Sequence, residues 1–183
     1  MRSARALQPA LRLVSKDETP PLDLDRLYRE YCRYVAAILL RIGGRRAELE
    51  DGIQEVFAQA AAALAQVQKP EAIRGWLATI AVRVARRSLR RRRLAHFFGA
   101  SVSASEYEAL ADSSASPFDR TLLARLYRAL DALSVDDRLA YVLHHVEGET
   151  IDAVATLCGC SGTTAKRRIL RARLALEELL ADD

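Results

Sequence analysis

The segment from Thr150 to Arg173 reads TIDAVATLCGCSGTTAKRRILRAR and is the most informative part of the chain for its fold. Its spacing of apolar residues predicts a short helix from Thr150 to about Leu157, then a Cys-Gly-Cys turn and a long helix begun by Ser161. Two helices joined by a tight glycine turn form the helix-turn-helix pattern, whose second helix enters the major groove of DNA. The stretch therefore predicts a DNA-binding element near the end of the chain.

The second of these helices carries small hydroxyl and basic side chains at its N-terminal end. Its buried stripe is predicted to be Ala165, Ile169, Ala172 and Leu176. The residues left near the exposed end are Thr163, Thr164, Lys166 and Arg167, flanked by Arg168 and Arg171. Such groups suit base edges, and the positive end of the helix dipole favours phosphate. The competing interpretation is the solvated charged face of an amphipathic helix.

Upstream, residues 22–93 predict a bundle of three helices. The first is predicted over Leu22–Ile42 and ends at Gly43-Gly44. The inner side of the second is predicted to be Leu49, Ile53, Val56, Phe57, Ala60, Leu64 and Val67. The third begins near Pro70 and buries Ile73, Leu77, Ile80 and Val84. Trp76 is expected to be a core anchor of this helix, with stacking on an unpaired base as the alternative.

Positive charge is concentrated in two places. The chain has 28 basic and 24 acidic residues, but residues 22–93 alone hold 15 basic and 8 acidic residues. Seven arginines fall within the eleven positions from Arg83 to Arg93. A second cluster surrounds Lys166. Two basic clusters on a near-neutral body indicate two contacts with a polyanion, although a solvated helix end or an anionic membrane surface also accounts for an arginine run.

Composition limits the class of protein. No apolar run approaches the length of about 20 residues that crosses a bilayer, and the start of the chain lacks a signal-peptide core, which predicts a soluble cytoplasmic protein. Small polar residues dominate 94–117, which predicts a flexible linker that lets two domains sit apart, and residues 1–21 are expected to form a mobile arm. The second domain is then 118–183, beginning with apolar residues at helical spacing and a helix start at Ser134. The fold class expected is all-α, with two small helical domains.

Neither catalysis nor a cofactor is indicated. No phosphate-cradling glycine loop or nucleophile motif accompanies the three histidines. A zinc site built from Cys158, Cys160, His144 and His145 has the wrong ligand spacing for a structural site, so no metal is expected. Buried thiols that pack the turn are the preferred interpretation, and a redox role for these cysteines stays open.

Several short motifs complete the pattern. The first domain contains Leu27-Tyr28-x-x-Tyr31, Glu50-Asp51-x-x-Gln54-Glu55-Val56-Phe57 and Gly75-Trp76-Leu77-Ala78-Thr79-Ile80-Ala81, followed by the arginine run. The second contains Glu147-Gly148, Val154-Ala155, Gly159-Cys160-Ser161, Thr164-Ala165-Lys166 and Arg168-x-x-Arg171-Ala172-Arg173. In this order and separation, the motifs resemble regions 2 and 4 of extracytoplasmic-function (ECF) sigma factors, the bacterial initiation subunits of RNA polymerase.

The resemblance implies a transcription initiation factor that directs core RNA polymerase to promoters and is not an enzyme. It implies that Asp51, Gln54 and Glu55 form a helix face that docks on the clamp helices of the β′ subunit. The β subunit is a further expected contact. It implies that the minus-ten promoter element is held by Arg83, Arg86, Arg87, Arg90 and Arg91. It implies that the minus-thirty-five element is read as duplex by Ser161, Thr163, Thr164, Lys166, Arg167 and Arg171. An anti-sigma factor of unknown identity is a further expected partner.

Two departures and two rival functions accompany the resemblance. The family often carries Asn and Asp at the positions of Arg83 and Arg87, which puts capture of a specific flipped base in question. It often carries Glu at the position of Ala153, which puts a phosphate or polymerase contact of the family in question. The main rival is a stand-alone helix-turn-helix regulator that uses residues 22–93 for dimerisation. A scaffold that binds polymerase without DNA is weaker, because the arginine run favours nucleic acid.

Overall fold

The computed structural model describes residues 23–64, 72–98, 107 and 115–181, and the regular structure within these ranges is entirely helical. Helix α1 (Leu24–Gly43) begins at Asp23, whose side chain accepts a hydrogen bond from the backbone N of Arg26 at 2.7 Å. It ends at Gly44, whose φ of 71° lies in the left-handed region that glycine adopts without strain. A Cβ atom at position 44 would also overlap the Tyr127 ring, so this glycine permits close packing between two domains.

The first domain is completed by α2 (Leu49–Ala63) and α3 (Ile73–Phe97). Val56, Phe57 and Ala60 of α2 are buried, while Leu49, Ile53 and Leu64 pack half-buried against the core. Val67, predicted on the same face, lies outside the described residues. The predicted inner stripe of α3 is buried at Ile73, Leu77, Ile80 and Val84. Trp76 packs partly buried against this core, as the sequence predicts.

Helix α3 extends further than its predicted end. It continues through Phe97, four residues beyond the arginine run, because the first glycine after Arg93 comes only at position 99. Tyr107, also from the stretch predicted as a linker, is only 1% exposed and stacks on Tyr127 with ring centroids 5.5 Å apart. Its hydroxyl donates a hydrogen bond to Asp131. At least one side chain of the connecting stretch therefore belongs to the packed interior.

The second domain contains α4 (Pro117–Ala132), α5 (Val135–Tyr141), a π-helical turn (Val142–Val146), α6 (Ile151–Cys158) and α7 (Gly162–Ala181). Ser116 caps α4, and the predicted helix start at Ser134 is confirmed by its hydroxyl, which accepts from the N of Asp137 at 3.1 Å. The π-helical turn was not signalled by the periodicity. Gly148, with φ of 73°, follows this turn and redirects the chain toward α6.

Polar groups join the two domains, which are in direct contact. Arg138 of α5 is 2% exposed and donates from Nε to the carbonyl of Ile42 at 2.9 Å. A second guanidinium nitrogen of Arg138 donates to the carbonyl of Gly43 at 3.1 Å. On a neighbouring part of the interface, Arg41 pairs with Glu147 at 2.9 Å. The carbonyls at the end of α1, which have no partner within the helix, are thus capped by the other domain.

Candidate nucleic-acid and polymerase interface

The helix-turn-helix is formed by α6, the turn at Gly159, and α7. Gly159 has φ of 63°, and the next residue, Cys160, donates from its backbone N to the carbonyl of Ala155 at 2.9 Å. This closes α6 in the manner of a glycine C-cap. Ser161 then starts α7, because its hydroxyl accepts from the backbone N of Thr164 at 3.2 Å. The local sequence alone is sufficient for this geometry, since each capping group lies within five residues of its partner.

The N-terminal end of α7 presents the residues that the sequence singled out for duplex DNA. Ser161, Thr163, Lys166 and Arg167 are exposed, and Thr164 is half-buried. On the opposite side of the helix, the predicted stripe of Ala165, Ile169, Ala172 and Leu176 is buried. The hydroxyl and cationic groups therefore lie together at the positive end of the helix dipole, where a phosphate is favoured.

The arginines one or two turns further along α7 are bound to carboxylates. Arg171 donates to both carboxylate oxygens of Asp137, from Nε at 2.8 Å and from a terminal nitrogen at 2.5 Å. Arg168 donates to Asp136 at 3.1 Å. Burial raises the pKa of the Asp137 carboxyl, but the hydrogen bonds from Arg171 and Ser134 outweigh it, and the net pKa lies below its usual value. Of the residues predicted for this contact, Arg171 is thus engaged within the protein.

The arginines of α3 differ in their surroundings. Arg83, Arg87, Arg90 and Arg91 are exposed, whereas Arg86 is half-buried and donates to the carbonyl of Cys158 at 2.8 Å. The Nε of Arg86 also lies 3.3 Å from Asp136, and Arg90 approaches the same carboxylate to 3.9 Å. The predicted minus-ten residues therefore share one helix but do not form one uniform surface.

The polymerase-docking candidates lie on α2, next to α3. Asp51 and Gln54 are exposed. Glu55 is half-buried, accepts a hydrogen bond from Gln59 at 3.2 Å, and forms an ion pair with Arg87. The structure thus joins one residue predicted to bind polymerase to one predicted to bind DNA.

Asp136, which the sequence did not single out, is the point where the two basic clusters meet. It contacts Arg86 and Arg90 from the first domain and Arg168 from α7, at 3.3, 3.9 and 3.1 Å. The sequence marks this aspartate only as part of the helix start at Ser134. No periodicity signals an ion pair between residues this far apart in the chain, so only the packing of the domains brings them together.

Thiols and imidazoles near the turn do not converge on a metal. Within the part of the chain that the structure describes, no group of three or more His, Cys, Asp or Glu side chains could hold an ion. Cys158 is buried, and burial raises the pKa of its thiol. His144 is turned toward the carbonyl of Glu149, with Nδ1 at 2.8 Å. Among the same described residues, no helix is both long and apolar enough to span a membrane.

Family models match both domains. The model of sigma-70 region 2 matches residues 27–95, and that of sigma-70 region 4 matches residues 123–176. The chain belongs to the sigma-70 family. ECF sigma factors are among the similar curated proteins, so the resemblance to this type is confirmed. The sigma factor directs RNA polymerase to promoters, with region 2 serving the minus-ten element and region 4 the minus-thirty-five element, and it is not an enzyme.

Individual relatives agree with this assignment. The sigma factor is 34% identical over 150 residues to RfaY of Xanthomonas campestris, a probable RNA polymerase sigma factor, covering 80% of this chain and 37% of RfaY. It is 30% identical over 158 residues to the RNA polymerase sigma factor CarQ of Myxococcus xanthus, covering 85% of this chain and 88% of CarQ. The rival interpretation of residues 22–93 as a dimerisation domain is not supported, because they match region 2.

Among solved structures, the sigma factor RpoE of Bartonella quintana, in complex with the anti-sigma factor NepR, is similar to this chain. The two share 26% identity with a TM-score of 0.65, over 88% of this chain and 98% of RpoE. The described helices therefore have the arrangement of a two-domain sigma factor.

Proposed function

We propose that the promoter and polymerase contacts of this sigma factor are divided among three surfaces. Asp51 and Gln54, with Glu55 beside them, dock on the β′ clamp helices. Arg83, Arg87, Arg90 and Arg91 of α3, with Arg86, hold the minus-ten element. The N-terminal end of α7 reads the minus-thirty-five duplex through Ser161, Thr163, Thr164, Lys166, Arg167 and Arg171. The observation that carries this division is the grouping of exposed hydroxyl and cationic side chains at the start of a helix-turn-helix recognition helix.

The α2 surface is suited to protein docking because its acid and amide are exposed on a rigid helix. Asp51 and Gln54 lie three residues apart on α2 and so face the same side, next to the buried Val56 and Phe57. Their neighbour Glu55 is held by Arg87, which ties the docking surface to the arginines of α3. We infer that the surface that binds polymerase and the surface that binds the minus-ten element adjoin each other on this domain.

The domain boundaries that we propose follow from the same division of contacts. Residues 22–93, extended by the last turn of α3, form the region 2 domain, and 118–183 form the region 4 domain. Residues 94–117 connect them, and 1–21 precede them. We propose that the sigma factor acts in the cytoplasm, where its polymerase and promoter are found.

An anti-sigma factor is the proposed inhibitory partner. Support comes from RpoE, whose structure contains NepR, and from apolar side chains exposed on α7. Leu170 and Leu174 lie one helical turn apart and are 50% and 53% exposed. Exposed leucines at this spacing suit an amphipathic partner helix.

The test is binding of the full chain to core RNA polymerase, with a housekeeping sigma factor as competitor. Asp51→Arg combined with Gln54→Ala is expected to abolish co-elution in gel filtration while circular dichroism stays unchanged. Glu178→Arg, which changes an exposed acid on α7 by the same charge as Asp51→Arg, is the matched control and should co-elute normally. Normal binding by the α2 variant, with intact helicity, would remove the docking role from this surface.

A further inference from the structure

A cavity of about 540 Å³ lies between the two domains, and none of its lining residues belongs to α2 or α7. Its walls come from the second half of α3, Tyr107, the end of α4 and the start of α5. Its volume is within the range of about 300–1,000 Å³ that is typical of small-molecule sites, which often occur between domains. None of the promoter or polymerase contacts proposed above uses these walls.

The charged groups that line the cavity are mostly cationic. Four guanidinium groups and one carboxylate border it: Arg92, Arg93, Arg128, Arg138 and Asp131. Asp131 is already engaged, because it accepts hydrogen bonds from both Arg138 and the Tyr107 hydroxyl. The lining residues carry an excess of three positive charges, which Glu48 beside Arg92 reduces to two, and a small site of this charge attracts an anion.

Two of these guanidinium groups meet at a single acceptor. Arg92 and Arg138 both donate to the carbonyl of Gly43, at 2.8 and 3.1 Å. Like charges in such proximity repel each other, and the repulsion is strong where water is partly excluded. The side chain of Arg92 is only 14% exposed, and burial lowers its pKa; the nearby Glu48 carboxylate opposes this effect, and the charge of Arg138 adds to it. A bound anion would relieve this repulsion.

Hydrogen-bonding capacity also remains around Arg92. Its Nε is buried and makes no hydrogen bond to any described residue, and the carboxylate of Glu48 stays 3.7 Å from it. A guanidinium has five N–H donors in a planar fork that matches the oxygens of a phosphoryl group. Arg93 uses one of its donors on the carbonyl of Leu133, at 2.9 Å, which orients its side chain along the cavity wall.

The remaining wall is apolar. Leu89, Leu130, Leu133 and Val135 line it, together with Tyr107. Phosphate alone would leave this wall in contact with water, whereas a ligand with a flat apolar part would cover it. We propose that the cavity binds a small phosphorylated molecule of the nucleoside di- or triphosphate class, with its phosphates at the guanidinium groups and its base against the apolar wall.

Binding at this place would act on the domain arrangement. Arg92 and Arg93 belong to the first domain, whereas Arg128 and Arg138 belong to the second. A ligand that contacts both pairs stabilises the packed arrangement, since it binds that arrangement and not the separated domains. The inference does not depend on the promoter contacts proposed for α3 and α7, and its test requires neither DNA nor polymerase.

The experiment is calorimetric titration of the full chain with ATP, pyrophosphate and adenosine. Saturable binding of one ATP per chain is expected, with pyrophosphate weaker and adenosine weaker still. Arg128 is exposed at the cavity edge, so Arg128→Ala should fold normally and weaken ATP binding by about tenfold or more, as expected for the loss of a hydrogen bond between charged groups. The melting temperature of the wild-type chain should rise with ATP concentration.

The matched control is Arg33→Ala, which removes an exposed arginine of α1 that lies outside the cavity and in none of the proposed promoter or polymerase contacts. It should bind ATP as the wild type does. Equal weakening in the two variants, binding of several ATP molecules without saturation, or absence of binding would overturn the proposal, because each result indicates general attraction of polyanions or no site. Equal affinity for ATP and pyrophosphate would overturn the proposed contact between the base and the apolar wall.

Discussion

The arginines of α3 and the basic end of α7 look alike in the sequence but have different partners in the structure. On α3, Arg86, Arg92 and Arg93 donate to backbone carbonyls, at 2.8, 2.8 and 2.9 Å. On α7, Arg168 and Arg171 instead bind the carboxylates of α5, whereas the preceding Lys166 and Arg167 are exposed.

The type of acceptor decides what each cluster can do. A carbonyl fixes a guanidinium without neutralising it, as at Arg93, whereas Arg86 and Arg92 also lie within 4 Å of Asp136 and Glu48. A carboxylate cancels the charge as well as fixing the side chain, so Arg171 has little attraction for phosphate until Asp137 releases it. The comparison shows that a count of basic residues overestimates the charge available to DNA on both helices, because carboxylates pair with arginines of α3 as well as of α7.

The largest effect is expected from a substitution at the domain interface, where arginine side chains donate hydrogen bonds to backbone carbonyls. Arg138→Ala removes three hydrogen bonds, two of them to the carbonyls of Ile42 and Gly43, from a side chain that is 2% exposed. Urea denaturation should show the free energy of unfolding reduced by about 3 kcal/mol. Lys166→Ala, at an exposed position of α7, should stay within about 0.5 kcal/mol of the wild type. Equal stability of the two variants would mean that the Arg138 contacts do not hold the domains.

The second prediction isolates the exposed cations of α7, Lys166 and Arg167. Lys166→Ala combined with Arg167→Ala should weaken binding to a mixed-sequence duplex and lower the magnitude of the log–log salt slope by about 2, one for each phosphate contact. Fluorescence anisotropy at several salt concentrations measures this slope. Arg46→Ala, exposed on the first domain, is the control and should leave the slope unchanged. An unchanged slope in the α7 variant would contradict its role as the recognition helix.

The third prediction tests the contribution of the Asp137 carboxylate that binds Arg171. The pKa of Asp137 is lower when the chain is folded, so its stabilising effect is present above the unfolded value of about 3.9 and is lost as the pH falls through the folded value. Asp137→Asn should reduce stability by about 1 kcal/mol at neutral pH, and the difference from the wild type should shrink below about pH 4. It should also raise duplex affinity, because Arg171 is released.

The matched control for that variant is Asp152→Asn, an exposed aspartate in the first turn of α6. Thermal unfolding between neutral pH and about pH 2 compares the two variants across the window set by the aspartate pKa. A constant difference between wild type and Asp137→Asn over this window would show that the carboxylate charge does not contribute.

The smallest effect is expected at the ion pair between α2 and α3. Glu55→Gln removes the charge that holds Arg87, but both side chains contact solvent, so thermal unfolding should show a loss below about 1 kcal/mol. If this pair also positions the docking surface, polymerase affinity should fall more than stability does. Asp51→Asn, at an exposed residue of the same helix, should leave stability unchanged within about 0.5 kcal/mol.

Helices and their caps were largely predictable from local sequence. The start of α5 at Ser134 and the turn at Gly159 are confirmed, since a cap needs only residues three to five positions apart. The predicted stripe of α7 is also confirmed, because period and burial coincide on an amphipathic helix. The extension of α3 to Phe97 was missed although no glycine follows Arg93 before position 99, and the π-helical turn at Val142–Val146 was missed because the apolar period does not signal it.

The family, the two helical domains and the solvent-facing end of α7 could be read from the sequence, because motif spacing and apolar period are properties of the local chain. Which arginines are held by carbonyls, which by carboxylates, and which line the cavity beside Tyr107 depends on tertiary packing. The partners Asp136 and Gly43 lie tens of residues from the arginines they bind. Their pairing depends on how the two domains pack, because a guanidinium binds whichever acceptor the fold brings within hydrogen-bond distance.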